Sequence, residues 1–239
     1  MIDGAIHSKQ DRGQINPDES EDFASMAVRL EAPDLLKAVD RFLGQGGSVE
    51  SAFVDLLAPA ARHLGEMWEQ DECDFVDVTM GLWRLQEVMR EISLRSPPEP
   101  APLRGLRSAV FCPVPGDTHS FGAQMIEEVF ARAGWQSEVL VSPERRELLD
   151  HVARSPVDLV GLTVSSKTSV SALSSLVKSI KGVSLNPHTC VLVGGSVINQ
   201  NPELVTEIGA DGTGRDANSA LETAERLVAA APVRAQSFV

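Results

Sequence analysis

No stretch of eighteen apolar residues occurs in the 239-residue sequence, so no part of it is suited to span a membrane. Its start, Met1-Ile2-Asp3-Gly4, lacks the basic and apolar segments of a secretion signal, and the expected location is the cytoplasm. Cations are scarce: 21 lysines and arginines face 34 aspartates and glutamates, a net charge of −13. Nucleic-acid affinity depends on cations that neutralise phosphates, so this balance argues against general DNA or RNA binding. The basic residues are also dispersed, with no helix-turn-helix or zinc-finger spacing. Any influence on transcription is therefore expected to pass through another protein. The three cysteines, Cys73, Cys112 and Cys190, lie far apart and form no C-x-x-C pair, which speaks against a structural zinc site or a disulfide framework. Cys112 and Cys190 fall in short apolar runs, where buried thiols are common. Tyrosine is absent altogether.

What is present is the composition of an ordinary globular protein, 43% apolar and 23% charged. Residues 1 to 20 show no apolar periodicity and read as a flexible tail. Helical spacing follows over 21–95. Phe23, Met26, Ala27 and Leu30 give a first helix stopped by Pro33. Asp34 is placed to cap a second, through Leu35, Leu36, Val39 and Phe42, ended by Gly44-Gln45-Gly46-Gly47. Ser48 caps a third, whose apolar face runs from Val49 to Trp68 with a kink expected at Pro59. Asp74 starts a fourth, with Phe75, Val78, Leu82, Leu85, Met89 and Ile92 facing inward. Four such helices with short connections predict a small four-helix bundle.

Residues 96–107 include Ser96-Pro97-Pro98-Glu99-Pro100-Ala101-Pro102, which cannot continue a helix and reads as a stiff proline-rich spacer. Beyond it, over 108–232, the pattern alternates. Short apolar runs at 108–112, 137–141, 158–162, 189–193 and more weakly 209–213 are separated by helical segments at 122–133, 143–154, 169–180, 199–208 and 217–230. Strand-helix alternation of this length predicts an α/β domain with a doubly wound five-stranded parallel sheet. The flavodoxin-like order 2-1-3-4-5 puts ligands at the carboxyl ends of strands one and three.

The loop after strand one is Pro115-Gly116-Asp117-Thr118-His119-Ser120-Phe121-Gly122, and Ser165-Ser166-Lys167-Thr168-Ser169 follows strand three. Neither a G-x-x-x-x-G-K-[ST] nor a G-x-G-x-x-G motif is present, which removes the usual nucleotide sites. A phosphorylated receiver domain needs an acidic residue ending strand three, where this chain has Leu162-Thr163-Val164. What remains is D-x-H-x-x-G, as Asp117, His119 and Gly122. This is the logic of a metal ligand: one imidazole nitrogen binds the ion, and a carboxylate holds the other and fixes its tautomer. Gly122 would let the following helix approach a bulky group.

In these motifs the sequence resembles the cobalamin-binding fold, which carries D-x-H-x-x-G after strand one, Ser-x-Leu after strand three and Gly-Gly after strand four. Gly194-Gly195 stand where strand four ends, and Thr163-Val164-Ser165 replaces Ser-x-Leu. The resemblance implies that His119 displaces the cofactor's dimethylbenzimidazole and binds cobalt from below. It implies an Asp117 that supports His119, a Ser169 that completes a His-Asp-Ser relay, and a nucleotide tail in a slot past Gly194-Gly195. Arg62-His63-Leu64-Gly65-Glu66-Met67-Trp68 resembles the L-G-x-x-W segment of the helical cap over cobalamin's upper face, which would set Trp68 over the corrin; the alternative is a core tryptophan. The cofactor-binding residues implied are Trp68, Asp117, Thr118, His119, Gly122, Thr163, Ser165, Ser169, Gly194 and Gly195. Adenosylcobalamin photoreceptors place Glu-His where this chain has Val78 and Thr79, which favours aquo-, hydroxo- or methylcobalamin over adenosylcobalamin.

The run Asp74-Phe75-Val76-Asp77-Val78-Thr79-Met80-Gly81-Leu82-Trp83-Arg84-Leu85-Gln86 is similar to the AerR/PpaA group of cobalamin-binding antirepressors. That resemblance implies a light-responsive regulator of photosynthesis genes whose partner is a repressor of the PpsR/CrtJ type. A corrinoid methyl carrier and a haem-binding redox sensor share the fold and stand as alternatives. His63 reads as a packed histidine and is also the one cap histidine available to cobalt's upper face, His7 could reach it only with the tail folded back, and His151 and His188 read as surface residues. Glu69, Asp71, Glu72 and Asp74 read as a solvated loop with helix-capping value. No nucleophile-base pair, paired carboxylates or reductase motif appears, so a non-enzymatic role is expected.

Overall fold

The computed structural model describes residues 17–99, 107–165 and 168–230, with only the backbone described for Pro17 and Asp18. It divides into two compact units, Met1–Ser96 and Pro97–Val239.

The first unit is helical. Helix α1 spans Pro17–Arg29, so helix begins earlier than the expected tail boundary at residue 20; a proline with its fixed φ stands first, where its missing N–H costs nothing. Residues 1–16 lie outside the described residues. Helix α2 spans Ala32–Gly44 with extended Glu31, not Asp34, at its N-cap, because Pro33 sits within the first turn instead of ending a helix. The third segment is one continuous helical rod in three parts: α3 (Val49–Ser51), a π-helical turn (Ala52–Leu57) and α4 (Ala58–Glu69). The π turn answers the expected kink. Pro59 cannot donate to a carbonyl one turn back, and the ladder there widens so that Ala58 N bonds Phe53 O. Helix α5 spans Phe75–Arg95 and opens with a capping box, Asp74 accepting from Val76 and Asp77 amides while Asp77 accepts from the Asp74 amide.

Phe23, Leu35, Phe53, Leu57, Leu64, Leu85 and Ile92 form the core of this unit. Each fully buried side chain of this size contributes about 1.5–3 kcal/mol. Phe75 does not join them. It is 70% exposed, standing first in α5 and outside the bundle, which corrects its expected inward placement. Arg84 is buried, and its guanidinium donates to Ala27 O and Val28 O at 2.9 Å and to Glu31 Oε1 at 2.7 Å. It thereby caps the last carbonyls of α1 and ties α5 to the α1–α2 turn.

The second unit is the expected α/β sandwich. Strands β1 (Ser108–Pro113), β2 (Gln136–Val139), β3 (Leu159–Thr163), β4 (Cys190–Gly194) and β5 (Gly212–Thr213) form one parallel sheet in the order 2-1-3-4-5. Helices α6 (Phe121–Arg132), α7 (Arg145–Arg154), α8 (Val170–Val183) and α11 (Ala217–Ala230) cross between or follow the strands. The expected helix over 199–208 is two pieces, α9 (Ser196–Gln200) and α10 (Leu204–Glu207). Pro202 disfavours helical backbone at Asn201, which stands at φ −136° and ψ 71° and separates them. Strand alternation splits the core. Val110, Cys112, Val160, Leu162, Val191 and Val193 pack on one face with α7 and α8 residues Leu148, Val152, Leu173 and Ile180. Ala109, Phe111, Leu159 and Leu192 pack on the other with α6 and α11 residues Ala123, Phe130, Ala220 and Ala224. His151, expected at the surface, is partly buried beside Glu138, 2.8 Å away.

Candidate cofactor site

Strand β1 ends in a tight turn that aims the D-x-H loop. Asp117 N donates to Val114 O at 2.9 Å, with Pro115 second and Gly116 third at φ 92°, the residues a type II turn requires. Val114 N in turn donates to Thr163 O, so the turn is fastened to the end of β3. This places Asp117 under the loop, 4% exposed, while His119 and Thr118 stand in solvent.

Asp117 organises the loop. Its Oδ1 accepts from the His119 backbone N–H at 3.0 Å and from His119 Nδ1 at 2.6 Å, and its Oδ2 accepts from the Ser165 amide at 3.1 Å. Burial by itself pushes this carboxyl's pKa up. The bonds from the His119 amide and ring and from the Ser165 amide, with the charge of a protonated His119, outweigh burial and hold the pKa below the ordinary 3.8. The ionised carboxylate can only accept, so Nδ1 carries the proton and the lone pair of Nε2 faces outward, ready for a metal. Among the described residues no three His, Cys, Asp or Glu side chains cluster as a metal cage. A single presented imidazole suits an ion whose equatorial donors come with a macrocycle.

Beside the loop, the carboxyl end of the sheet offers glycines and an unused hydroxyl. Thr163, Gly194 and Gly161 belong to the face turned toward α6 and α11, with Thr163 and Gly194 paired in register. Thr163 is buried, and its Oγ1 has no hydrogen-bond partner among the described residues. A Cβ on Gly122, in the first turn of α6, would lie 3.8 Å from the Thr163 methyl group, and one on Gly194 would lie 3.4 Å from Gly214 O. Gly214 is packed by the fold, since a Cβ there would lie 2.3 Å from Ala220 N, whereas Gly122 and Gly194 lack side chains beside the unpartnered Thr163 hydroxyl. Those features fit the nucleotide tail of a corrinoid cofactor with a heterocyclic base.

Other assigned residues have different places. Gly195 serves the fold: at φ 102° it packs so closely that a Cβ would come within 2.6 Å of Val164 O. Ser165 contributes its backbone amide to Asp117, while its side chain is exposed. Ser169 does not complete a relay here. Its Oγ accepts from Ala172 N as the N-cap of α8 and lies 3.3 Å from Ser171 Oγ. The Pro115-Gly116 turn that aims the loop was not assigned from sequence; the Pro-Gly pair was the available signal. In the helical unit, Trp68 is 51% exposed at the end of α4, so it is not a core tryptophan. The chain turns just after it with Asp71 at φ 58° and Glu72 N bonded to Met67 O, which fixes the last turn of α4. His63 lies 3.3 Å from Glu66, and His7 lies outside the described residues.

Comparison with known proteins decides what such a site belongs to. Residues 107–222 match a family described as B12 binding domain, and residues 19–93 match a second family described in the same words. The chain carries B12 binding domains over both stretches. The resemblance to the AerR/PpaA group holds on the same matches and on a relative, an uncharacterized 20.5 kDa protein in the bchF-crtJ intergenic region of Rhodobacter capsulatus. It is 25% identical over 172 residues, covering 72% of this chain and 89% of the relative. Among solved structures, the Methanosarcina barkeri monomethylamine corrinoid protein is similar in fold, with a TM-score of 0.70 at 17% identity, over 91% of this chain and 100% of that one. This chain thus has a helical unit and a five-stranded parallel sheet, and both B12 binding matches support cobalamin as its ligand. Among the described residues no helix is long and apolar enough to cross a membrane.

Proposed function

We propose that the protein is a cobalamin-dependent, light-responsive antirepressor that acts by contact with a repressor of the PpsR/CrtJ type. The observation that carries this reading is the relative encoded between bchF and crtJ, which covers most of both chains. The net charge of −13 supports action through a protein partner, since such a chain is repelled by DNA phosphates. When bound, cobalamin supplies the visible chromophore and a cobalt with an exchangeable upper ligand. The chain's own part is to present Nε2 of His119 to the metal, hold that ring through buried Asp117, and accommodate the tail beside Thr163, Gly122 and Gly194. Trp68 is proposed for the corrin's upper face, and Val78 and Thr79 favour a small upper ligand over adenosyl. No catalytic role is assigned to either unit.

The test mixes dark and illuminated cobalamin-loaded protein with the repressor bound to its operator. Release of DNA in one light state supports the reading, and equal DNA occupancy in both states refutes it. The fold shared with a monomethylamine corrinoid protein supports methyl carriage as a second reading. Methyl transfer between this chain and a methyltransferase would favour that reading.

A further inference from the structure

The ordinary distribution of side chains is inverted at one pair of neighbours on α5. Arg84 is buried, whereas Trp83 is 53% exposed. Val76, at 63% exposure, Met80 and Trp83 recur at i, i+4 and i+7 and form one stripe, turned away from the buried Leu85, Val88 and Ile92. Leu94, three turns beyond Trp83 and also exposed, continues the line. Single exposed apolar residues need no explanation, but a row that includes tryptophan and methionine has the composition of an interface core.

Charge selects the occupant. Residues 17–96 hold seventeen acidic and seven basic side chains, whereas residues 97–239 hold fifteen and twelve, so the excess negative charge is concentrated on the unit that bears the stripe. Glu69, Asp71, Glu72 and Asp74 precede the stripe, exposed Glu87 follows Trp83 by one turn, and exposed Arg90 follows it by two. A second copy would bring the same charge to the same face. An anionic membrane or a nucleic acid would be repelled.

We propose that the Val76–Met80–Trp83 face of α5 is the docking surface for a protein partner presenting an apolar seat for Trp83 rimmed by lysine and arginine. This rests on the antirepressor reading and specifies which surface of the chain the repressor meets.

The test measures the affinity of the full-length, cobalamin-loaded chain for a purified PpsR/CrtJ-type repressor. Trp83→Ser is expected to weaken binding about tenfold or more, as loss of a central aromatic anchor does. Val76→Ser supplies a second probe of the same face, and Glu87→Lys is expected to weaken binding less and to reduce its salt dependence. Leu185→Ser, an exposed apolar site on the other unit, should leave affinity unchanged. Unaltered corrin spectra and helix content show that each variant is folded. Wild-type affinity in both Trp83→Ser and Val76→Ser would overturn the docking face and leave the antirepressor reading intact. Failure of the unaltered chain to bind would overturn both. A self-associating chain made monomeric by Trp83→Ser with repressor binding untouched would assign the stripe to a second copy and overturn the proposal.

Discussion

Replacing Thr163 by valine should push stability and cofactor affinity in opposite directions. The two side chains have nearly the same shape, so the substitution exchanges a hydroxyl for a methyl group and disturbs packing little. Thr163 Oγ1 is buried at the end of β3 with no partner among the described residues. An unpaired buried hydroxyl costs about 1–3 kcal/mol relative to one that is bonded or removed. Thr163→Val is therefore expected to stabilise the cofactor-free protein by about 1 kcal/mol, read by urea unfolding with an unchanged m-value. If that hydroxyl bonds the cofactor tail, the same substitution removes one hydrogen bond from the loaded protein, and cobalamin affinity should fall about five- to tenfold. A spectrophotometric titration reads that change. Lower stability without cofactor, together with unchanged affinity, would refute the assignment of Thr163 to the slot.

Asp117→Asn keeps the shape but turns an amide donor toward either the His119 donors or the Ser165 amide; we expect cobalamin affinity to fall about 10- to 100-fold, measured by the same titration. Because the Asp117 pKa is lowered on folding, its stabilising contribution is complete above the ordinary carboxylate range and is lost as pH falls through the lowered value. Acid unfolding of Asp117→Asn should accordingly show a weaker pH dependence below pH about 4 than the unaltered protein. Arg84→Met leaves the last carbonyls of α1 without donors and should destabilise the helical unit by about 2–4 kcal/mol in thermal or urea unfolding. Gly195→Ala meets both a positive φ and the Val164 backbone, and should cost about 2 kcal/mol or more by the same measurement. Burial pushes the Cys112 thiol up to about 12, so it should resist alkylation at pH 8 until the protein unfolds, as mass spectrometry would show.

The α/β unit was legible because its signals are local and periodic. Apolar runs bounded by turns marked β1, β3 and β4 within a residue or two, and the alternation with helices implied the 2-1-3-4-5 order. Asp117 and His119 were legible as a pair because a two-residue spacing lets one carboxylate oxygen reach both the amide and the ring of the histidine. Less visible were features that depend on packing between distant segments. Ser169 stands at the register of a relay, yet a serine just before a helix is drawn to the cap, and its Oγ accepts from Ala172 N and lies beside Ser171 Oγ. Gly195 matched a motif for the tail, and the Val164 backbone independently requires a glycine there. In the helical unit the 3.6-residue period located the core, but it overran at Phe75, where the helix has begun before the bundle has closed around it. The outward tryptophan beside an inward arginine was invisible for the same reason, since a period assigns faces but does not say which face finds a neighbour.

The claim on which the account turns is that His119 holds cobalt in place of the cofactor's own base. The most direct measurement is the electron paramagnetic resonance spectrum of the cobalt(II) form, recorded with ordinary and with nitrogen-15 histidine. Histidine ligation predicts that the axial nitrogen splitting changes from three lines to two on labelling and that His119→Ala abolishes the change. A three-line splitting that persists in labelled protein would mean that dimethylbenzimidazole remains bound, and would contradict the account.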